Sequence, residues 1–552
     1  MTETHTTTKV HDLQTEGSNP KLQDLARESA KFDTDGVPSR TKPFFDHVNS
    51  HMHTDPENKQ RLGETTRQLC EVAIVYLPNE IIANPSFLDA LSLYVFVRDG
   101  GLIKDDILAK NIIQAFQSYM VNPSVSELES SKTFNILAGL ENLSELWTSV
   151  STEMSEQAPS YKKASMMPSP NLPLDALEAS IGIETLPREA VLIRAIDAVY
   201  FLDTQLAMYE NGETLDEEAV MNRIFEAETV LAPLSYLASY DTLESSMLSK
   251  ARKLRYALAG NKDALHAQKD YDAQFGTPLD RLSHLRYVMD YIGEDRGEDF
   301  SIFDAGKSDD AICMVSGLVD VLSAKDAPYD TSHENKDSTA KLRARVKTGG
   351  SELEKIARDL ITIGSENPIM DKFAFTLISE KDTTVPFVYA TLLENLMRHE
   401  GTQITFKASP SRNQPFHIKG TPEFVQLVRE GLREKGIDAV DESKFDTRDD
   451  EQYGFHVAKV TFFLTHEYND QQGNLQKVDL PVEIQVLSQD ARDNARSGAA
   501  SHIILKIAKK LGRKLSDKET HELTEKITAL HERMKPDISA NQLPSTLPAI
   551  FR

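Results

Sequence analysis

Cysteine is almost missing. Cys70 and Cys313 are the only two in 552 residues, too few for a disulfide framework or a cysteine-built zinc site. No apolar run of about 18 residues or more occurs, which argues against a membrane-spanning helix. The start, MTETHTTTKVHDLQTEGSNP, has neither a basic cluster nor an apolar stretch. A secretory signal is therefore not expected, and the cytoplasm is the default compartment. A basic excess is missing too. The formal net charge of -25 argues against a broad nucleic-acid-binding surface, which needs a positively charged face.

What is present suffices for real cores: 40% of residues are hydrophobic and 27% charged, and the length predicts two or three domains. Residues 1–40 are polar and predict a disordered tail. Residues 41–325 predict a helical region, because REAVLIRAIDAVYFLDTQLAMY and EAVMNRIFEAETVLAPLSYLA carry apolar residues at three- and four-residue spacing. Polar, turn-rich residues 326–340 predict a linker. Beyond it a basic helix is expected over 341–361. Strand-like runs follow, DKFAFTLIS, TQITFKA, FHVAKVTFFLTHEY and KVDLPVEIQVLS, with helical pieces between them. Residues 516–552 read as a final helix and tail. The expected fold is multidomain, an all-α N-terminal region followed by an α+β domain whose mixed sheet has helices packed on one side.

In an acidic chain, local basic clusters mark places where an anion must sit. Two stand out: KLRARVKTGGSELEKIAR at 341–358 and FKASPSRNQPFHIK at 406–419. A charge-balanced helix start is the plain alternative for the first. In VDLPVEIQVLS, strand alternation turns Val482, Ile484 and Val486 to a core and Glu483 and Gln485 to the other face. His502 and Lys506 are four apart in the helix expected next. Asp371 opens the strand DKFAFTLI. If the two strands are neighbours, Asp371 and Glu483 suit Mg²⁺, which takes one or two carboxylates and fills its shell with phosphate and water. The alternatives stay open: Asp371 capping a turn, Glu483 pairing with a lysine, His502 packing in its helix.

These motifs together resemble the RelA/SpoT-type alarmone synthetases. Arg345, Lys347, Ser351 and Lys355 match the family's R-x-K-x3-S-x3-K, carried on its opening helix. Asp371 matches its metal-binding Asp, and Glu483-Ile484-Gln485 its E-I-Q strand. Ala495, Gly498, Ala500, His502 and Lys506 match its A-x-x-G-x-A-x-H-x3-K ending. Tyr453 and His456 match its acceptor-base loop loosely. Thr376 and Leu487 stand where the family carries arginines, and Arg496 where it carries an acid. Upstream, AETVLAPLSYLASYDTLES is similar to the segment joining the family's HD hydrolase half to the synthetase. Asp197 would match the late metal Asp of that half. Gln68, Tyr94 and Val95 stand at its other ligands, and neither Tyr nor Val suits a divalent metal. The hydrolase half is thus expected to be degenerate.

The resemblance implies a nucleotidyltransferase-like synthetase domain at 341–515. It would move pyrophosphate from ATP to the 3′-hydroxyl of GDP or GTP, with Mg²⁺ on Asp371 and Glu483. Arg345, Lys347, Ser351, Lys355, Gln485, His502 and Lys506 would contact nucleotide or phosphate, and Tyr453 and His456 the acceptor base. Only residues 507–552 follow Lys506, so no ribosome-sensing C-terminal module is expected. Regulation would pass through the helical region or homo-oligomerisation. Two alternatives remain: a nucleotide-binding or regulatory pseudoenzyme, and a synthetase with an adenine nucleotide or tRNA as acceptor.

Overall fold

In the computed structural model the chain is described at residues 56–77, 81, 84–99, 127–157, 186–238, 240–293, 312–314, 322–324, 327–330, 339–346, 352–353, 355–357, 369–379, 381–408, 414–437, 445–449, 456–469, 473–497, 501, 503–504, 508 and 515–534. The expected tail at 1–40 lies outside them. Two compact units divide the chain, one of residues 1–254 and 529–552, the other of 255–528.

The described elements of the first unit are helices: α1 (Pro56–Tyr76), α2 (Pro85–Asp99), α3 (Glu127–Gln157), α4 (Arg188–Glu210), α5 (Glu217–Glu226), α6 (Ala232–Leu237) and most of α7 (Asp241–Leu258). Residues 190–193 and 195–199 of α4 are buried on all sides, as expected of a central helix. Helix α3 comes close to its start at Gly139, where a Cβ would lie 2.5 Å from Pro187 Cδ and 2.9 Å from Ala190 Cβ. Asp216 caps α5 by accepting from the Ala219 amide, 3.1 Å. A π-type turn, Ala227–Leu231, separates α5 from α6. It falls just ahead of Pro233, which has no N–H to continue an α-helical ladder.

The second unit is mixed. Helices α8 (Lys262–Ala273) and α9 (Pro278–Gly293) precede strands β1 (Ile312–Met314), β2 (Leu322–Ala324), β3 (Ala327–Asp330), β4 (Thr339–Val346) and β5 (Phe373–Ser379). Then come α10 (Val385–Met397), β6 (Ile404–Phe406), β7 (Phe416–Gly420), α11 (Pro422–Glu434), β8 (Phe445–Asp449), β9 (Val457–Asn469), β10 (Leu475–Ser488) and α12 (Gln489–Ser497). Helix α13 (Asp517–Met534) gives its residues up to Thr528 to this unit. The strands form one sheet in the order β1-β2-β4-β5-β10-β9-β7-β8, with β3 beside β4 and β6 beside β9. It is a mixed sheet: β5 and β10 run parallel, as do β7 and β8, and the other pairs are antiparallel. Pro481 sits in β10 just before the pairing with β5 begins at Val482, where its missing donor breaks no bond to that strand.

One face carries the core. Phe373, Phe375 and Leu377 of β5, Val482, Ile484 and Val486 of β10, and Val460, Phe462 and Leu464 of β9 are buried with apolar residues of α8, α9, α10 and α11. Each such side chain contributes roughly 1.5–3 kcal/mol on full burial. Helix α12 takes the other face, where Ala491 packs with Val457 and Leu487. The helices are thus not all on one side.

Two sequence expectations differ from this fold. Residues 327–330 and 339–340 of the expected linker are strand, Tyr329 and Asp330 pairing with Ala340 and Thr339, and Ala327 and Pro328 with Leu342 and Lys341 just beyond it, and the division between units falls at 254/255. The basic helix expected from 341 begins instead as β4, with helical backbone at 352–353 and 355–357. KLRARV is made, Val346 apart, of helix-favouring residues, but its charged and apolar side chains alternate with period 2. Pairing with β5 decided in favour of that alternation.

Candidate functional site

Register assembles residues from distant parts of the chain into rows across the sheet. Arg345 of β4 pairs with Ala374, Ala374 with Glu483, and Glu483 with Thr461. The next row is Arg343, Thr376, Gln485, Lys459 and His417. Alternation places both rows on the face opposite the core. Thr461 Oγ1 donates to the Lys407 carbonyl at 2.6 Å, and its amide donates to the Pro415 carbonyl at 3.0 Å. The two basic segments singled out in the sequence therefore reach the Glu483 row from opposite sides, one through β4 and the other through the chain around Lys407 and Pro415.

Glu483 and Lys459 are each 15% exposed, with the ammonium 3.8 Å from Glu483 Oε1. Gln485 donates its amide to the same oxygen. Tyr389 fixes the strand from the core side by donating to the Lys459 carbonyl, 2.8 Å.

Asp371 lies in the turn entering β5, and Lys355 Nζ sits 2.5 Å from its Oδ1. Behind this partly exposed pair is a buried one of opposite polarity. Lys372, next to Asp371, is 1% exposed and bonds Glu352 Oε1 at 2.5 Å, whose side chain is fully buried. It also bonds Asp272 Oδ1 of α8 at 2.5 Å, and its ammonium lies 5.9 Å from the Tyr271 ring centre and 5.8 Å from that of Phe275. Arg281 reaches Asp272 at 3.3 Å. Glu352 and Lys355 both lie on helical backbone, three residues apart in the chain, so the inner pair helps to place the outer one. Nothing in the spacing of the sequence signals the inner pair, because Asp272 and Lys372 are remote in the chain.

Glu483 is level with Ala374, three residues beyond Asp371, or about 10 Å of extended chain. Among the described residues no three His, Cys, Asp or Glu side chains converge as a metal-binding group. An ion here would rest on Asp371 or on Glu483, whose offset along the strand is wider than one ion's oxygen shell, with water and ligand oxygens for the remainder. Those hard oxygen donors fit Mg²⁺.

His456 is not brought to Glu483. Its place, just before β9, is five residues from Thr461, about 17 Å along the strand. His456 Nδ1 lies 2.6 Å from Asp382 Oδ2, while Ser488 Oγ donates to Asp382 Oδ1 and caps α12 through the Ala491 amide. The bond from His456, with that from Ser488, holds the Asp382 carboxyl below its ordinary range despite partial burial. The His456 ring stacks on Phe424, 4.7 Å between centres. Gly420 permits this, since a Cβ there would come within 2.5 Å of Phe424 and 3.0 Å of His456. Arg345 is described as backbone alone, and Lys347, Ser351, Tyr453, Gly498, Ala500, His502 and Lys506 lie outside the described residues.

In the helical unit, two of the positions expected to hold a degenerate metal site, Tyr94 and Asp197, belong to a buried polar network. Tyr94 Oη donates to Asp197 Oδ2 at 2.7 Å, and Arg223 Nη2 donates to the same oxygen at 3.0 Å. Arg194 donates to Tyr94 Oη at 2.5 Å and lies 3.8 Å from Asp197. Both arginines also bond Glu226, each at 2.7 Å. Burial alone would raise the Glu226 carboxyl, but Arg223 and Arg194 override it and hold the group below its ordinary range. Val95 is fully buried. Gln68 accepts from Tyr200, one turn beyond Asp197, and donates to Glu64 at 2.8 Å. The sequence reading missed Arg194, Arg223 and Glu226. Their helical spacing on α4 and α5 is ordinary, and only packing brings them around Asp197.

No helix among the described residues is long and apolar enough to cross a membrane. No protein-family model matches the chain, and no curated protein sequence matches it.

Proposed function

We propose that the sheet unit is a Mg²⁺-dependent pyrophosphotransferase of the RelA/SpoT kind, in which the 3′-hydroxyl oxygen of a guanine nucleotide attacks the β-phosphorus of ATP, takes the β,γ-pyrophosphate and releases AMP. The observation that carries this reading is the arrival of both basic segments at the strand row of Glu483. Phosphoryl-type transfer is mainly positioning and charge stabilisation, which such a surface supplies. Asp371 or Glu483 would hold Mg²⁺, which when bound neutralises phosphate charge. Lys355 leaves Asp371 to take a phosphate oxygen, and Glu483 accepts the proton of the attacking hydroxyl. The 17 Å offset of His456 makes it a support of the strand ends in this reading, not a base contact.

The helical unit is, in the same reading, a former hydrolase body. Arg194 and Arg223 supply around Asp197 the positive charge that a metal would bring, and they would repel a cation there. A pseudoenzyme is the second reading, favoured by one feature: each acid already faces a lysine, Asp371 with Lys355 and Glu483 with Lys459. Incubation with γ-labelled ATP, Mg²⁺ and GDP, GTP, ADP, ATP or tRNA separates the two. Label on a guanine nucleotide that vanishes in Glu483→Gln is the expected result. Label on ADP, ATP or tRNA would change the acceptor, and label on none would leave the pseudoenzyme.

A further inference from the structure

We propose that Lys459 is an anion-binding residue of the sheet face, a cation for the polyphosphate chain of a nucleotide; this rests on reading that face as the transfer site. Between β4 and β9 its row offers Thr376 and Gln485, both uncharged, so β5 and β10 contribute no cation there. Lys459 supplies one, from a strand paired on both sides, with Gln485 across one edge and His417 across the other. Its backbone is further held by the bond from Tyr389. The ammonium is therefore placed in advance of any ligand, which limits the ordering cost of binding.

Its electrostatic setting points the same way. At 3.8 Å the pair with Glu483 is loose, and Gln485 already donates to the carboxylate oxygen concerned. With 15% exposure, Lys459 is partly shielded from solvent, where a charge-assisted contact gains strength. Arg343 shares the row, Arg345 lies in the adjacent one, and Lys407 is at the strand edge beside Thr461. In a chain of net charge -25, four cationic positions on or beside the rows of Glu483 and Gln485 suit a multiply charged anion better than a neutral ligand. A lysine placed merely to neutralise Glu483 would sit closer to it.

The test is calorimetric titration of the full chain with inorganic tripolyphosphate, without metal. Lys459→Met is expected to weaken binding by about tenfold or more, the loss of one charge-assisted contact. Lys459→Arg is expected to restore most of the affinity. Lys477→Met, on an exposed lysine paired with Glu467, should match the wild type. Unchanged binding by Lys459→Met, or no binding by the wild type, overturns the proposal. Acylation of the wild-type lysines, read by mass spectrometry, provides a check that does not depend on the variant folding. Tripolyphosphate should protect Lys459 and not Lys477, and equal labelling overturns the proposal. Failure of the two readings is separable. Lys459-dependent binding without transfer of label would sink the transferase and keep the anion site, whereas undiminished transfer by Lys459→Met would do the reverse.

Discussion

Replacing Lys372 by Met removes the cation between two carboxylates. In the native chain its ammonium bonds Glu352 and Asp272, both at 2.5 Å, and Glu352 is fully buried. The Met side chain fills nearly the same space, so the cost is electrostatic: a buried carboxylate loses its counter-charge. Breaking one side of a buried pair costs about 3–5 kcal/mol. Asp272 keeps Arg281 at 3.3 Å, which places the expected loss toward the lower end. In a unit of this size each kcal/mol moves the melting temperature by about 2–4 °C, so a fall of about 10 °C is expected. The decisive comparison is Glu352→Gln with Lys372→Met. Removing both charges is neutral or nearly so when the volume is kept, and the double variant should recover most of the loss. Calorimetry and urea unfolding of the three chains measure this. A single variant that loses less than about 1 kcal/mol, or a double variant no better than the single, refutes the reasoning.

Three further perturbations have worked signs. The Asp382 carboxyl is depressed mainly by its bond from His456, so its contribution is present above about pH 4 and lost as pH falls through the lower folded value. Asp382→Asn should therefore be less stable than wild type in urea at pH 7, with the gap closing as the pH falls below the ordinary carboxylate range; a gap independent of pH counts against this. His284 and His466 meet Nδ1 to Nδ1 at 3.0 Å, and burial lowers both to about 4. Only one ring can donate in that contact. Stability should be complete above about pH 6.5 and decline toward pH 4 as the unfolded chain takes up protons. His284→Phe should flatten that decline, and an unchanged slope would refute the assignment. In the helical unit, Arg223→Met strips one cation from fully buried Asp197 and should cost about 3 kcal/mol in urea unfolding. Mn²⁺ or a chelator should leave the wild-type melting temperature unchanged, and a metal-dependent rise would restore the case for a metal site.

The sequence by itself determined the parts whose signal is local. The alternation in VEIQV is met by buried Val482, Ile484 and Val486 and half-buried Glu483 and Gln485, because period 2 leaves a strand no other way to bury its apolar side. The spacing in REAVLIRAIDAVYFL likewise specifies a helix, α4, and its nearly continuous apolar content marks it as central. Only tertiary structure decided which strands are neighbours. That is why Lys459 falls in the row of Gln485 and Thr376, and Lys372 meets Asp272 a hundred residues away. KLRARV shows the limit most directly. Its composition favours helix and its alternation favours strand, and the hydrogen bonds offered by β5 made the choice. Non-local pairing energy is absent from any window of sequence, so the helix-forming bias of Lys341 to Arg345 could not reveal the edge they would find.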